Sequence, residues 1–559
     1  VYAALAREPL DFLCFFSSGQ AFAFSGAAQL SAYAAGITAA DSFARSLRAE
    51  SRFPVGVINW GFWKASVETI KALPSGVPME NLAALEDQEG FACFERFVGE
   101  LGRGRLHQVL GMKASPQIEA LMPRGHEEAM LLPDEPASPW SVTEIRIEAP
   151  SEKIAEIKLA AKQAALEEWF IQLLHAQVMD MLGAEAAAVP QSAEALRTEA
   201  RVIGKYAAWW KQALGLLAGR NHVSEEDGLF RDWGDIKGPA LREAWSAQKA
   251  VFRQDPDCRA LAELVDDCLA NLPGILQGRI PATDILFPDS SMVKVEGVYK
   301  HNAVCDLFNG IVADAAVACA KSAGTRTPPA RMRILEIGAG TGGTSAIVFD
   351  RLRPHQDAVE RYTYTDLSKA FLFHAEKAFA PECPYLNCQL LDVEQPLEPQ
   401  GIDLGGYDLV IATNVLHATR NIRRTLRNVK AALRQGGMLV LNEMSRDSLS
   451  THLTFGLLDG WWLFEDPEVR IPGCPGLAPE SWRRVLEEEG FHSISFPARE
   501  GHELGNQIIV AFSDGVIRQA EARMPVMVLP ATPPPSAVSP EPVPANALPA
   551  TPASTTSIA

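Results

Sequence analysis

Arg333-Ile-Leu-Glu-Ile-Gly-Ala-Gly-Thr-Gly-Gly-Thr-Ser345 decides how the rest of this 559-residue chain is read. Ile334, Leu335 and Ile337 form a short apolar run that suits a buried parallel strand. Gly338, Gly340, Gly342 and Gly343 follow, and Ser345-Ala-Ile-Val-Phe349 takes up a helical pattern. Strand, glycine turn and helix make the first unit of a Rossmann-like α/β sheet. Glycine is needed there because the backbone turns sharply and a cofactor approaches it closely. Four further strands follow. Tyr362-Thr-Tyr-Thr-Asp366 ends in an acid 28 residues after Gly338, where a carboxylate can accept both ribose hydroxyls of a bound nucleoside. Leu390-Leu-Asp392-Val393, Tyr407 to His417 and Gly436 to Glu443 supply the third, fourth and fifth. Ligands of open parallel sheets bind outside the carboxyl ends of the strands, so Asp366, Asp392, Asn414, His417 and Glu443 fall along one rim.

The form Glu336-x-Gly-x-Gly-x-Gly342, the acid Asp366 and Asn414-Val-Leu-His417 resemble the S-adenosylmethionine-dependent methyltransferases. The dinucleotide oxidoreductases are the competing class, and they space their glycines G-x-G-x-x-G. The resemblance implies a class I fold and cofactor contacts from Glu336, Gly338, Gly340, Gly342, Asp366, Leu367, Asp392, Val393 and Asn414. In that fold the fourth and fifth strands are neighbours, so His417 and Glu443 can meet beside the sulfonium. An imidazole oriented by a carboxylate is a good general base near neutral pH.

A length of 559 residues sets a prior of three or four domains. The net charge of −18 argues against a nucleic-acid enzyme, which needs a basic footprint. No run of ~18 apolar residues suggests a membrane span, and no secretory signal opens the chain. The first residue is Val1, so the expectation is an excised piece of a longer, cytoplasmic polypeptide. Nine scattered cysteines form no C-x-x-C pair, so reduced thiols and no metal are expected.

Residues 1–123 form a first unit. Leu10-Asp-Phe-Leu-Cys-Phe-Phe16 is a buried-strand run ending in Ser17-Ser18, Tyr33 opens a small-residue helix, and Val55 to Trp63 is a second strand and loop. Phe16-Ser-Ser-x-Gln20, Tyr33-Ala-Ala-Gly36 and Val57-Ile-Asn-Trp-Gly-Phe-Trp63 resemble the C-terminal half of a polyketide synthase ketoreductase, a short-chain reductase, in synthases that use a separate acyltransferase. The resemblance makes Ser18 and Tyr33 the carbonyl-orienting and proton-donating pair. The interval between them is two residues longer than usual for the family, and Ile37 stands where many relatives carry Asn. The NADPH loop and the catalytic Lys would precede Val1, so NADPH is expected only in the complete parent ketoreductase, and Ser18 and Tyr33 are expected to be a remnant.

Pro133, Pro136, Pro139 and Pro150 mark residues 124–150 as a linker. Helical stripes through Leu166 to Leu182 and Tyr206 to Leu217 place a helical lid at 151–300. Tyr299 and Asn302, on the connector into the sheet, are candidate substrate contacts; Asn302 equally suits a helix cap. The sheet domain spans 301–520 and ends in a hairpin of Ser493 to Phe496 and Gln507 to Phe512. Residues 521–559, rich in Pro, Ala, Ser and Thr, read as a disordered tether toward a carrier domain.

Asn414-Val-Leu-His417-Ala-Thr-Arg420, Thr425-Leu-Arg-Asn-Val429, Gly436 to Glu443 and Phe455-Gly-Leu-Leu-Asp-Gly-Trp-Trp-Leu463 resemble the methyltransferase domains embedded in polyketide synthases, over about 150–515. In that family a His–Glu pair is the catalytic dyad. Most members methylate the α-carbon of a β-ketoacyl chain on an acyl carrier protein with its phosphopantetheine arm; a related set methylates a β-hydroxyl oxygen. The dyad serves both reactions. The order of reductase, methyltransferase and tether is typical of carbon methylation, and other synthase domains are the expected partners. A silent scaffold is the reading from outside enzymology, and the intact glycine loop, Asp366 and His417 argue against it. The helix after His417 carries Arg420, Arg423, Arg424, Arg427, Lys430 and Arg434 on one stripe, either a solvated face or a docking face for an acidic carrier.

Overall fold

The computed structural model describes residues 8–22, 31–64, 84–102, 107–112, 128–131, 138–140, 144–160, 162–288, 291 and 293–519. The first unit contains β1 (Leu13–Ser18), β2 (Val55–Trp60) and β3 (Gln108–Gly111), a parallel sheet in that order. Strand β4 (Glu128–Leu131) follows. The helical region carries a small antiparallel sheet of β5 (Gln191–Ser192), β6 (Ser224–Glu226) and β7 (Leu229–Arg231).

The main sheet is built from β8 (Met332–Ile337), β9 (Val359–Asp366), β10 (Leu386–Leu390), β11 (Tyr407–Thr413), β12 (Leu433–Met444), β13 (Phe491–Ser495) and β14 (Asn506–Ser513). Its order is β10-β9-β8-β11-β12-β14-β13. The first five strands are parallel, and β14 runs antiparallel to both β12 and β13. The expected terminal hairpin is therefore present. Strand order reverses at β8, which sits between β9 and β11, and that reversal opens the crevice in which such sheets hold ligands.

Burial on both faces explains why these strands are apolar throughout. Along β8 and β11, Ile334, Leu409 and Ile411 join one core with Leu307, Phe308 and Ile311 of the helix Ala303–Gly324. Leu335, Val410 and Ala412 join the opposite core with Ile422, Leu426, Val429 and Trp482. Ala303–Gly324 is long and apolar enough to cross a membrane. Here that composition serves a core helix, with Leu307, Phe308, Val312 and Ala316 fully buried against the sheet.

The helices Gln163–Ala187, Ala207–Gly219, Gly238–Phe252 and Pro256–Leu276 enclose a separate core around Phe170, Trp209, Trp210 and Leu214. Leu449, Leu453 and Leu457, from the segment after β12, belong to that core. Trp209 donates to the His452 carbonyl at 2.9 Å, Tyr206 to Leu457 at 3.2 Å, and Gln212 to Asp447 at 2.8 Å. The lid is thereby fastened to the rim of the sheet.

Two expected boundaries differ. The helix Ser151–Ala160 packs Ile154 and Ile157 into the sheet core, not the lid core, because Leu307 and Phe308 offer the apolar cover those isoleucines need. The proline-rich segment is not a free linker along its length. Its β4 pairs antiparallel with β15 (Val516–Gln519), and Trp140 and Ile145 are buried in the sheet core. Val516 in turn packs with Ile58, Trp60 and Phe97 of the first unit. The proposed tether, residues 521–559, lies outside the described residues.

Candidate active site

The glycine turn leaves β8 with Gly338, Gly340 and Gly342 at φ +62°, +58° and +73°, a backbone region that side chains oppose. A Cβ at Gly338 would lie 2.5 Å from Val415 Cγ2, and one at Gly342 2.9 Å from the Phe379 ring. Asp366 fastens the turn. Its Oδ2 accepts the Gly340 N–H at 3.0 Å and its Oδ1 the Ser368 N–H at 2.8 Å. Burial raises its pKa, opposed by these backbone donors. Each carboxylate oxygen keeps a second lone pair for another donor. The Tyr364 hydroxyl donates to the Gly340 carbonyl at 2.9 Å.

Glu336 lies buried beneath the turn and accepts hydrogen bonds from Ser345 and Tyr362, both at 2.7 Å. Burial pushes its carboxyl up to about 7, against the pull of those two donors. Leu367 is 72% exposed next to Asp366. Asp392 is half-buried and accepts the Glu394 N–H at 2.9 Å. Val393 packs into the core with Leu391 and Leu397, and its carbonyl accepts from Asn428 at 2.7 Å.

A cavity of about 220 Å³ lies over the turn, lined by Gly338, Gly340, Thr344 and Asn414. A second, of about 180 Å³, lies between lid and rim and is lined by His417, Trp461 and Asn302. Tyr299, Cys305, Asn414, Phe455 and Asn506 line both, so the two spaces adjoin. Close backbone approach, absent Cβ atoms and a carboxylate beside the turn fit a nucleoside cofactor in the first cavity.

The register of β11 and β12 brings His417 and Glu443 together. Thr413 pairs with Asn442, so Glu443 stands beside the turn that follows β11. Asn414 takes φ +53° there, and the short turn Leu416–Ala418 carries His417. His417 Nδ1 contacts Glu443 Oε2. Glu443 is fully buried, and its Oε1 accepts the backbone N–H of Leu416 at 2.8 Å and of Val415 at 3.3 Å. The edge of Trp461 meets the His417 ring at 5.9 Å between centroids.

Three groups that sequence reasoning missed support this arrangement. Buried Arg470 donates to the carbonyls of His417 at 2.8 Å and Thr419 at 3.0 Å, and to Asp466 at 2.6 Å. On the wall of the glycine cavity, Asn506 donates to Asn442 at 2.9 Å and Asn442 to Asn309 at 3.2 Å. The Thr344 hydroxyl reaches both Asn309 and Thr413. Arg470, Asn309 and Asn506 stand in no local motif, whereas Thr344 and Asn442 lie inside the glycine stretch and the strand before Glu443 without a distinguishing signal.

Tyr299 stands against Phe455 at 5.5 Å, and burial raises the pKa of its hydroxyl. Asn302 caps Ala303–Gly324, accepting from the Cys305 N–H at 2.8 Å and donating to Val298 at 3.0 Å. Ser18 closes β1, and Tyr33 lies in the first turn of the helix Ser31–Glu50, 53% exposed. Much of the basic stripe is paired within the fold. Arg423 pairs with Glu488, Arg427 with Glu489, fully buried Lys430 with Asp514, and Arg434 with Asp408. Arg424 is exposed and Arg420 reaches only the exposed Glu465 at 4.0 Å, so the stripe is paired at four of its six positions.

Residues 335–439 match the model of a methyltransferase domain and residues 1–65 that of a KR domain. Over 526 residues the chain is 40% identical to polyketide synthase PksM of Bacillus subtilis, covering 92% of this chain and 12% of that protein. It is 56% identical to polyketide synthase PksR of the same organism over 317 residues, 56% of this chain and 12% of the relative. The chain thus spans about an eighth of the length of these relatives. Among solved structures, the DszA carbon methyltransferase is 31% identical with a TM-score of 0.63, over 68% of this chain and 98% of that one. The CurJ carbon methyltransferase is 28% identical with a TM-score of 0.59, over 65% and 96%.

Proposed function

The chain belongs to the S-adenosylmethionine-dependent methyltransferases embedded in polyketide synthases, with ketoreductase sequence ahead of them, and from that premise we propose that it methylates the α-carbon of a β-ketoacyl chain carried on the phosphopantetheine arm of an acyl carrier protein. The observation that carries this reading is the pair of adjoining cavities, one over the glycine turn and one holding His417 backed by Glu443.

S-adenosylmethionine supplies an electrophilic methyl group on a positively charged sulfur. Gly338, Gly340 and Gly342 let its nucleoside lie close to the backbone, and Asp366 offers its remaining lone pairs to the ribose hydroxyls. The thioester chain enters between the lid and the rim, past Tyr299 and Asn302. With Nδ1 held by Glu443, His417 presents Nε2 to the cavity. There it removes the acidic proton between the two carbonyls of the chain, and buried Glu443 stabilises the imidazolium that forms. The carbanion so produced is the nucleophile the bound sulfonium would methylate, and the walls of the second cavity, His417, Tyr299 and Asn302 among them, would hold it there. The likeness to the DszA carbon methyltransferase supports carbon over oxygen as the acceptor.

Matched β-keto and β-hydroxy acyl carriers incubated with labelled S-adenosylmethionine test the proposal. It expects label transfer to the β-keto chain alone. Transfer only to the β-hydroxy chain would make the protein an oxygen methyltransferase.

A further inference from the structure

Apart from the basic stripe after His417, one cation stands out at the second cavity. Among the described residues lining that space, Arg446 is the only lysine or arginine. It is exposed, and among the described residues its side chain makes no hydrogen bond and no ion pair. The acids nearby have other partners, although Glu503 also feels the Arg446 charge. Both oxygens of Asp447 accept hydrogen bonds, from Gln212 at 2.8 Å and the Ser448 N–H at 2.9 Å. Glu503 pairs with Lys158 at 2.7 Å. On the lining, Glu167 pairs with Arg220 at 3.0 Å, and Asp257 accepts the Ala303 N–H at 2.7 Å.

Hydroxyl groups face the same space. Ser448, Ser450 and Thr451 all line the cavity beside Arg446. Ser448 and Ser450 share a hydrogen bond at 2.7 Å, so together they have one further proton to offer outward. We infer that Arg446, with the hydroxyls of Ser450 and Thr451, holds the phosphodiester of the carrier's phosphopantetheine arm at the mouth of the substrate cavity. This deepens the proposed carrier-bound substrate and rests on it.

Reach supports the assignment. Arg446 follows Glu443 by three residues, which places its Cα no more than about 11 Å from that of Glu443. The arm from phosphate to sulfur is about as long as five extended residues, roughly 17 Å. A phosphate held by the Arg446 guanidinium therefore leaves enough arm to bring the thioester to His417. Guanidinium suits the task because its planar fork of donors matches phosphate oxygens, and serine and threonine hydroxyls complete the shell.

The test is a binding measurement that needs no methyl transfer. Phosphopantetheine and phosphate-free pantetheine are titrated into the whole chain in the presence of S-adenosylhomocysteine. The inference expects the phosphorylated ligand to bind at least tenfold tighter to the wild type. In Arg446→Ala that preference falls to within twofold, Arg446→Lys keeps part of it, and the melting temperature is unmoved. Raising the salt concentration narrows the wild-type preference and leaves Arg446→Ala unaffected. Equal binding of the two ligands to wild type, a preference that survives in Arg446→Ala, or no binding of either overturns the site. None of these outcomes bears on whether His417 supports methyl transfer, so the two readings fail separately.

Discussion

His417 and Glu443 are locked to one another and to the backbone by a single carboxylate. Glu443 Oε2 meets the ring Nδ1 of His417, while its Oε1 accepts the N–H of Leu416 at 2.8 Å, one residue before that histidine. The group that orients the imidazole thus also holds the turn that carries it.

His417→Ala removes the proposed base and is expected to lower turnover on a carrier-bound substrate by about 10²- to 10⁴-fold. Its affinity for S-adenosylhomocysteine stays within a few fold of wild type. Glu443→Gln retains an acceptor for either the ring or Leu416 but not both, so it too loses turnover. The measurement is steady-state turnover alongside cofactor titration. Full activity in both variants contradicts the dyad.

Gly338→Ala places a methyl 2.5 Å from Val415 at φ +62°. The left-handed backbone alone costs about 1–2 kcal/mol for a residue with a Cβ, and the contact adds to it. Urea unfolding should show a loss beyond the backbone cost, accompanied by weaker S-adenosylhomocysteine binding. Val415→Ala in the same chain removes the two closest contacts, leaving Cβ at 3.2 Å, and recovers most of the contact part while leaving the backbone part.

Glu336 gives a pH dependence of known sign. Its folded carboxyl titrates near 7, well above an exposed glutamate. Between the unfolded and folded values the native state therefore binds more protons than the unfolded state, and stability falls as pH rises through that window. The full effect is on the order of 3 kcal/mol. Present below about pH 4, it is lost by the time the pH exceeds the folded value. Unfolding curves for wild type and Glu336→Gln should diverge with that slope, and parallel curves would show that Glu336 does not titrate there.

Lys430→Ala leaves Asp514 buried without its ammonium partner. Breaking a buried pair from one side costs roughly 3–5 kcal/mol, and the loss appears as a lower denaturant midpoint. Charge reversal at Arg427, whose partner Glu489 is buried, destabilises for the same reason. Neither change alters the salt dependence of carrier binding, since neither charge faces a carrier.

The sheet and the dyad were legible because their signals are local. Glycines at fixed spacing require the left-handed backbone found at Gly338, Gly340 and Gly342, and continuous apolar runs reflect burial on both faces. The expected meeting of His417 and Glu443 followed from adjacent strands and is present in the geometry. What stayed hidden depends on distant pairing. Arg470 acts through backbone carbonyls, and any buried arginine looks alike in sequence. Asn309, Asn442 and Asn506 come from three separate elements. The pairing of Arg423, Arg427 and Lys430 was not legible because their acidic partners Glu488, Glu489 and Asp514 lie far along the chain. The proline-rich linker misled because the strand that pairs with part of it begins only at Val516.

The central claim is tested most directly by locating the transferred methyl. A β-ketoacyl carrier is treated with S-adenosylmethionine bearing an isotopically labelled methyl, and the released product is examined by NMR. The account predicts label bonded to the α-carbon with wild type and no labelled product with His417→Ala. Label on oxygen, or an undiminished yield from His417→Ala, would contradict it.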